Sequence, residues 1–84
     1  MHILVVDDDT RLRSLLQRFL RDNGFYVSVA KNAFDAREML KDYKFDLLIL
    51  DIMMPDETGL EFLQKYLADT KELLIFATTN YNNK

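Results

Sequence analysis

The 84-residue chain is 49% apolar and 30% charged, a composition typical of one small soluble globular domain. Its net charge of −3 gives no basic surface for nucleic acid, and the absence of cysteine excludes a disulfide framework or a thiolate metal site. No apolar stretch approaches the roughly 20 residues that span a bilayer, and the amino terminus leaves no room for a signal peptide, so we expect a cytoplasmic protein.

The first predicted element is a strand that ends in acidic residues. Residues 3–6 are four consecutive β-prone apolar residues without alternation, which indicates a strand buried on both faces of a helix-covered parallel sheet. Asp9 or Thr10 can cap the helix that follows, and Asn23-Gly24 can end it in a left-handed conformation. One face of this helix carries its apolar residues: Leu12, Leu15, Leu16, Phe19 and Leu20.

Strands and helices alternate along the rest of the chain. The sequence predicts a strand over 25–30, a helix from near 32, a strand over 46–50, a helix over 60–67 and a strand over 73–77. Pro55 and Gly59 mark the segment 52–59 as a loop. We expect the second helix to bury these residues: Phe34, Ala36, Met39, Leu40 and Tyr43.

Acidic residues stand at the carboxyl ends of two predicted strands. Asp7 and Asp8 follow the first strand, and Asp51 follows the third. Because the functional crevice of such a sheet lies outside the carboxyl ends of its strands, we expect these three side chains to converge. A single Asp in this position is most often a turn former or a helix cap, the role we assign to Asp9. Three clustered carboxylates, however, need a divalent cation or shared protons, so the sequence predicts a site.

Four motifs stand in a recognisable order and spacing: ILVVDDD at 3–9, the Leu-rich first helix, LLILDIMMPDETG at 47–59, and the Thr after the fourth strand. Together they resemble the receiver domain of bacterial two-component response regulators, most closely the receivers that precede winged-helix DNA-binding domains. The resemblance covers essentially all 84 residues. It implies an α/β fold with a flavodoxin-like, doubly wound parallel sheet of strand order 2-1-3-4.

The resemblance also implies a role for each residue of the site. Asp51 would be the phosphoacceptor, receiving a phosphoryl group from a sensor histidine kinase in a two-component phosphorelay. Mg²⁺ would be held by the carboxylates of Asp7, Asp8 and Asp51 and by the backbone carbonyl of Met53. Thr78 would be the switch hydroxyl, with Thr79 as an equally placed rival. Such a chain is not an enzyme, beyond self-phosphorylation and autodephosphorylation.

The chain also departs from the family pattern. Receivers continue into a fifth strand that ends in a lysine, and then into a fifth helix; Lys84 does not match that lysine in sequence. Thr79 stands where a small Ala or Gly is usual. We therefore expect residues 1–84 to form an incomplete receiver domain that lacks the fifth strand and helices 4 and 5. Strand four and one sheet face would then be uncovered, which favours self-association or low stability.

Two alternative functions stay open, one from these departures and one from a second resemblance. The first is a degenerate, truncated receiver that acts only by protein contact, or has no function. The second is a phosphatase, because Val5-Val6-Asp7-Asp8-Asp9-Thr10 resembles the opening motif of haloacid-dehalogenase-type enzymes. In that family the hydroxyl residue comes one place later, and a lysine and an acidic motif are needed further along the chain. The phosphatase hypothesis also leaves Asp51, Pro55 and Gly59 unexplained.

Overall fold

The computed structural model describes residues 1–51 and the backbone of residues 74–78. The elements in these residues are β1 (His2–Val6), α1 (Thr10–Asp22), β2 (Tyr26–Ala30), α2 (Ala33–Asp42), β3 (Leu47–Asp51) and β4 (Leu74–Thr78). Each strand and helix predicted there is confirmed, although three of the strands begin one residue later than the sequence predicts. The helix predicted over 60–67 and the loop predicted over 52–59 lie outside the described residues.

The four strands form one parallel sheet in the order β2-β1-β3-β4, which confirms the predicted fold class and strand order. The chain moves one way across the sheet from β1 to β2 and the opposite way from β2 to β3. Crossovers between parallel strands are right-handed in almost all proteins, so this reversal of direction places α1 and α2 on opposite faces of the sheet. Ile3, Leu4, Val5 and Val6 alternate between these faces, and each is at most 1% exposed. The prediction that the first strand is buried on both sides is therefore confirmed.

A cluster of buried apolar residues in the described part of the chain lies between the sheet and α2. Its members are Leu4, Val6, Ala30, Ala33, Ala36, Phe45, Leu48 and Leu50, with Met39 and Leu40 packed against them. Full burial of a leucine or valine side chain contributes roughly 1.5–3 kcal/mol, so this cluster is a main source of stability. The same cluster includes the last apolar residues of β1 and β3, Val6 and Leu50, and so holds the strand ends from which the acidic residues project.

The predicted buried side of α2 is partly wrong. Ala36 is buried and Met39 and Leu40 pack on the core as expected, but Phe34 and Tyr43 are 63% and 59% exposed. Tyr43 is the C-cap, with extended backbone angles, so the helical periodicity no longer applies to it. The helix instead turns the small side chains of Ala33 and Ala36 towards the sheet, which leaves Phe34 on the flank.

Helix α1 ends as the sequence predicts. Gly24 has a φ of +91°, in the left-handed region that favours glycine, and its N–H donates to the Arg21 carbonyl at 2.9 Å. The Phe25 N–H donates to the Leu20 carbonyl at 3.1 Å and so closes the same helix end. Because this amide is engaged by the helix, β2 begins at Tyr26 and not at residue 25.

Helix α1 packs on β1 and β2 but buries none of its residues completely. Leu15 and Phe19, one helical turn apart, are each 61% exposed. These two side chains form an exposed apolar flank on the helix, whereas the uncovered sheet face and self-association through it stay predictions. Neither of the two described helices is long and apolar enough to cross a membrane.

Candidate functional site

Three carboxylates meet at the carboxyl edge of the sheet. Asp7 directly follows β1, and Asp51 is the last residue of β3; these strands are neighbours, with Val6 paired to Leu50. One carboxylate oxygen from each of Asp7, Asp8 and Asp51 lies within 4.8 Å of the others. Asp7 and Asp51 are 3% and 1% exposed, while Asp8 is half-buried. The structure therefore brings together the three acidic residues that the sequence predicted to converge.

Asp7 forms hydrogen bonds through its N–H, its carboxylate and its carbonyl. Its N–H continues the β1–β2 ladder by donating to the Ala30 carbonyl at 3.1 Å. Its Oδ1 accepts from the Asp9 N–H at 2.9 Å, and its carbonyl accepts from Arg13 Nη1 at 2.7 Å. These bonds join the end of β1, the turn and the start of α1 into one unit, so the direction of the Asp7 carboxylate is fixed by the fold.

Asp9 has the separate role that its position predicts. It is the N-cap of α1, and its Oδ1 accepts from the N–H groups of Arg11 and Leu12 at 3.0 and 3.2 Å. Of the two residues considered for the cap, the structure selects Asp9, and Thr10 is the first residue of the helix. The cap fixes where α1 starts, and thus where the Asp7-Asp8 turn must end.

The electrostatics of the site are those of crowded, buried acids. The pKa of Asp7 is raised from 3.8 to about 6, first because burial disfavours its charged form. The negative charges of Asp51 and Asp8 and a side-chain hydrogen bond with Asp51 raise it further, while the hydrogen bond from the Asp9 N–H lowers it. The pocket therefore favours either a proton or a cation next to Asp7.

The donor set fits Mg²⁺. This ion takes oxygen ligands, retains several waters, and is usually bound through one or two carboxylates. Asp7, Asp8 and Asp51 supply carboxylate oxygens within 4.8 Å of one another. A divalent cation between them would offset the burial and the repulsion that together raise the pKa of Asp7.

The other predicted site residues are only partly described. The backbone of Thr78 pairs with Asp51 in the parallel register of β3 and β4, so Thr78 occupies the strand end next to the acids. Met53, Pro55, Gly59, Thr79 and Lys84 lie outside the described residues. The proposed metal contact of Met53, and the choice between Thr78 and Thr79, stay predictions.

A further polar residue, Arg13, contacts the acidic site. Arg13 was not predicted to belong to the site, and its contact with the Asp7 carbonyl is visible only in three dimensions. The only signal in the sequence is a cation placed four residues after the helix cap.

His2 lies at the opposite end of β1, where its Nε2 and Ser28 Oγ are 2.9 Å apart and its ring packs on Phe45 with 4.3 Å between the ring centroids.

The fold and the acidic edge together define a flavodoxin-like α/β protein with three clustered carboxylates at the carboxyl ends of its strands. Within that class, residues 3–84 match the response regulator receiver domain, and the chain belongs to this family. The family predicted from the sequence motifs is confirmed. Membership of this family argues against the haloacid-dehalogenase alternative.

Comparison with individual proteins agrees with this assignment. PetR of Rhodobacter capsulatus is 52% identical over 59 residues, covering 70% of this chain and 25% of PetR. The response regulator MprA of Mycobacterium avium is 39% identical over 79 residues, covering 94% of this chain and 35% of MprA. The chain thus spans a quarter to about a third of the length of the curated relatives it matches.

The fold is also similar to that of a solved response regulator, TrrA of Thermotoga maritima. Its complex with Mg²⁺-BeF superimposes with a TM-score of 0.89 at 35% identity, over 98% of this chain and 71% of TrrA. TrrA in complex with the histidine kinase ThkA gives a TM-score of 0.88 at 36% identity, over 95% of this chain and 69% of TrrA.

Proposed function

We propose that this chain is the phosphoacceptor of a two-component phosphorelay and receives its phosphoryl group on Asp51. The observation that carries the proposal is the burial of Asp51 at the end of β3, with its carboxylate within 4.8 Å of those of Asp7 and Asp8. A receiver protein of similar fold, TrrA, binds Mg²⁺-BeF and forms a complex with a histidine kinase. By analogy, the donor here is a sensor histidine kinase, and this chain receives the phosphoryl group in the cytoplasm.

The transfer needs no enzyme activity beyond the acceptor carboxylate. An oxygen of Asp51 attacks the phosphorus of phosphohistidine, the P–N bond breaks, the imidazole leaves as it takes a proton, and an acyl phosphate forms. Asp7 and Asp8 would hold Mg²⁺, which neutralises charge on the transferring group. Self-phosphorylation from a small donor and autodephosphorylation would use the same residues. Thr78, adjacent to Asp51 in the sheet, would report the change through its hydroxyl.

The test uses phosphoramidate, a small donor with a P–N bond, and intact-protein mass spectrometry. The wild-type chain should gain one phosphoryl group in the presence of Mg²⁺ and none in EDTA. Asp51→Asn should abolish this gain in mass. Asp8→Ala should weaken Mg²⁺ binding, so that phosphorylation responds less to a given concentration of Mg²⁺. Asp22→Asn, which removes an exposed carboxylate at the end of α1, is the matched control and should be phosphorylated normally. Phosphate incorporation by Asp51→Asn would overturn the assignment.

A second candidate function is a degenerate receiver that acts through protein contact alone. The exposure of Leu15 and Phe19 on one flank of α1 favours it, because adjacent exposed apolar side chains mark contact surfaces. Self-association, through β4 or through this uncovered face, would be one form of such contact. Light scattering at several protein concentrations measures the mass directly. A monomer at every concentration, together with normal phosphorylation, would count against this candidate.

A further inference from the structure

Arg13 reaches from α1 to the turn that carries two of the three acids. It is the fourth residue of the helix and is partly buried. Its Nη1 donates to the Asp7 carbonyl at 2.7 Å, a short, charge-assisted hydrogen bond. That carbonyl belongs to the peptide unit between Asp7 and Asp8. The guanidinium therefore holds the peptide that joins Asp7 to Asp8, the two residues whose carboxylates belong to the site.

Two other hydrogen bonds of the turn act on either side of this peptide. The Asp7 N–H is tied to Ala30 before it, and the Asp9 N–H is tied to the Asp7 carboxylate after it. Rotation of the Asp7–Asp8 peptide would swing the Asp8 side chain relative to Asp7, whose carboxylate is already fixed. The contact with Arg13 opposes that rotation.

We propose that Arg13 is a positioning residue for the cation site: it holds the Asp7–Asp8 peptide so that both carboxylates face Asp51. This inference rests on the proposed function, since the cation is the Mg²⁺ of phosphoryl acceptance. Arg13 contacts a backbone oxygen of the residue that binds the ion, in the way that outer partners orient metal ligands in other proteins. Its side chain does not itself bind the ion.

Whether replacement of Arg13 weakens or tightens Mg²⁺ binding distinguishes a positioning role from a purely electrostatic effect of its charge. A positive guanidinium near a cation site repels the cation, so removal of its charge alone would tighten Mg²⁺ binding. Loss of positioning has the opposite effect, since the two carboxylates would no longer share one orientation. Replacement of an outer partner commonly weakens metal affinity about 10- to 100-fold. We expect about tenfold, the lower end, because the contact is made to a backbone carbonyl.

The experiment is a Mg²⁺ titration of the full 84-residue chain, followed by amide NMR shifts of the Asp7, Asp8 and Asp51 signals. Arg13→Met keeps much of the side-chain length but has no donor, and should raise the Kd for Mg²⁺ about tenfold. Arg13→Lys restores a charged donor and should bind within about threefold of wild type. Arg11→Met is the matched control, because it removes the same charge from an exposed position in the same turn; its Kd should be unchanged or lower.

The outcomes distinguish the inference from the function on which it rests. Equal or tighter Mg²⁺ binding by a folded Arg13→Met variant would overturn the positioning role while leaving the proposed function intact. A wild-type chain that binds no Mg²⁺ would overturn both. A merely structural role would lower the free energy of unfolding in urea without changing the Kd of the folded protein. If Arg13→Met does not fold, Arg13→Gln, with a shorter neutral donor, should bind more weakly than Arg13→Lys, and wild-type affinity would overturn the proposal.

Discussion

Replacement of Asp7 by Asn is expected to stabilise the ion-free protein at neutral pH. Asp7 is 3% exposed, and burial together with the charges of Asp51 and Asp8 raises its pKa to about 6. At pH 7.5 the carboxylate must therefore be charged in an environment that disfavours the charge. Asparagine removes the charge and keeps an Oδ1 that can accept the hydrogen bond from the Asp9 N–H.

The size and sign of the effect follow from the pKa of Asp7. Because its folded pKa lies above its unfolded value of 3.8, the folded state binds the proton more tightly. The resulting stabilisation is fully present below pH 3.8 and is lost as the pH rises through about 6. One pKa unit corresponds to about 1.36 kcal/mol, so the full rise corresponds to about 3 kcal/mol at most. Asp7→Asn should approach that gain over wild type at pH 7.5.

Urea unfolding in EDTA, followed by far-UV circular dichroism across this pH range, measures the difference. The advantage of Asp7→Asn should shrink steadily as the pH falls from about 7 to 4. Asp22→Asn, the exposed control, should stay within about 0.5 kcal/mol of wild type at every pH. A difference between Asp7→Asn and wild type that does not change with pH would show that the charge of Asp7 is not the cause, and would refute the reasoning.

Four further substitutions, at three positions, test the elements that position the site, each by the free energy of unfolding in urea. Asp9→Ala removes the two hydrogen bonds that cap α1 and should cost about 1 kcal/mol; an unchanged midpoint would contradict the assigned cap. Gly24→Ala should cost about 1–2 kcal/mol through backbone strain alone, because an added Cβ meets no atom within 4 Å, and Gly24→Asn should cost less. Leu48→Ala, which truncates a buried side chain of β3, should lower the free energy of unfolding by about 2–5 kcal/mol. A loss below about 1 kcal/mol would show that the neighbouring side chains fill the cavity.

The convergence of the acids could be predicted because it depends on strand direction, not on detailed packing. Once the two apolar runs are interpreted as parallel strands, the residues that follow them must lie at one edge of the sheet. The structure places Asp7 beside Asp51 through the register of β1 and β3, as this argument requires. The cap at Asp9 and the left-handed Gly24 were predictable for a similar reason, since both depend on local chemistry within a few residues.

The errors in α2 have a physical origin in side-chain size. A hydrophobic pattern gives weight to large residues such as Phe34, whereas the observed face is centred on Ala33 and Ala36. Small side chains let the helix backbone lie close to the sheet, and that close approach, not the hydrophobicity of one aromatic ring, sets the rotation of the helix. Arg13 was missed because a side chain that binds a backbone carbonyl leaves no periodic pattern in the sequence.

The stability cost of Asp7 and the proposed capture of a cation are two aspects of one arrangement. Burial and repulsion keep the acidic pocket in an unfavourable state above pH 6 unless a proton or a cation is present. A ligand at 100 times its Kd stabilises the folded state by about 2.7 kcal/mol, comparable to the about 3 kcal/mol that the raised pKa represents. Mg²⁺ can therefore offset the destabilisation that the three acids cause. The stability that Asp7→Asn gains without the ion should be matched in wild type when the ion is bound, because the same charges that oppose folding are those that attract the cation.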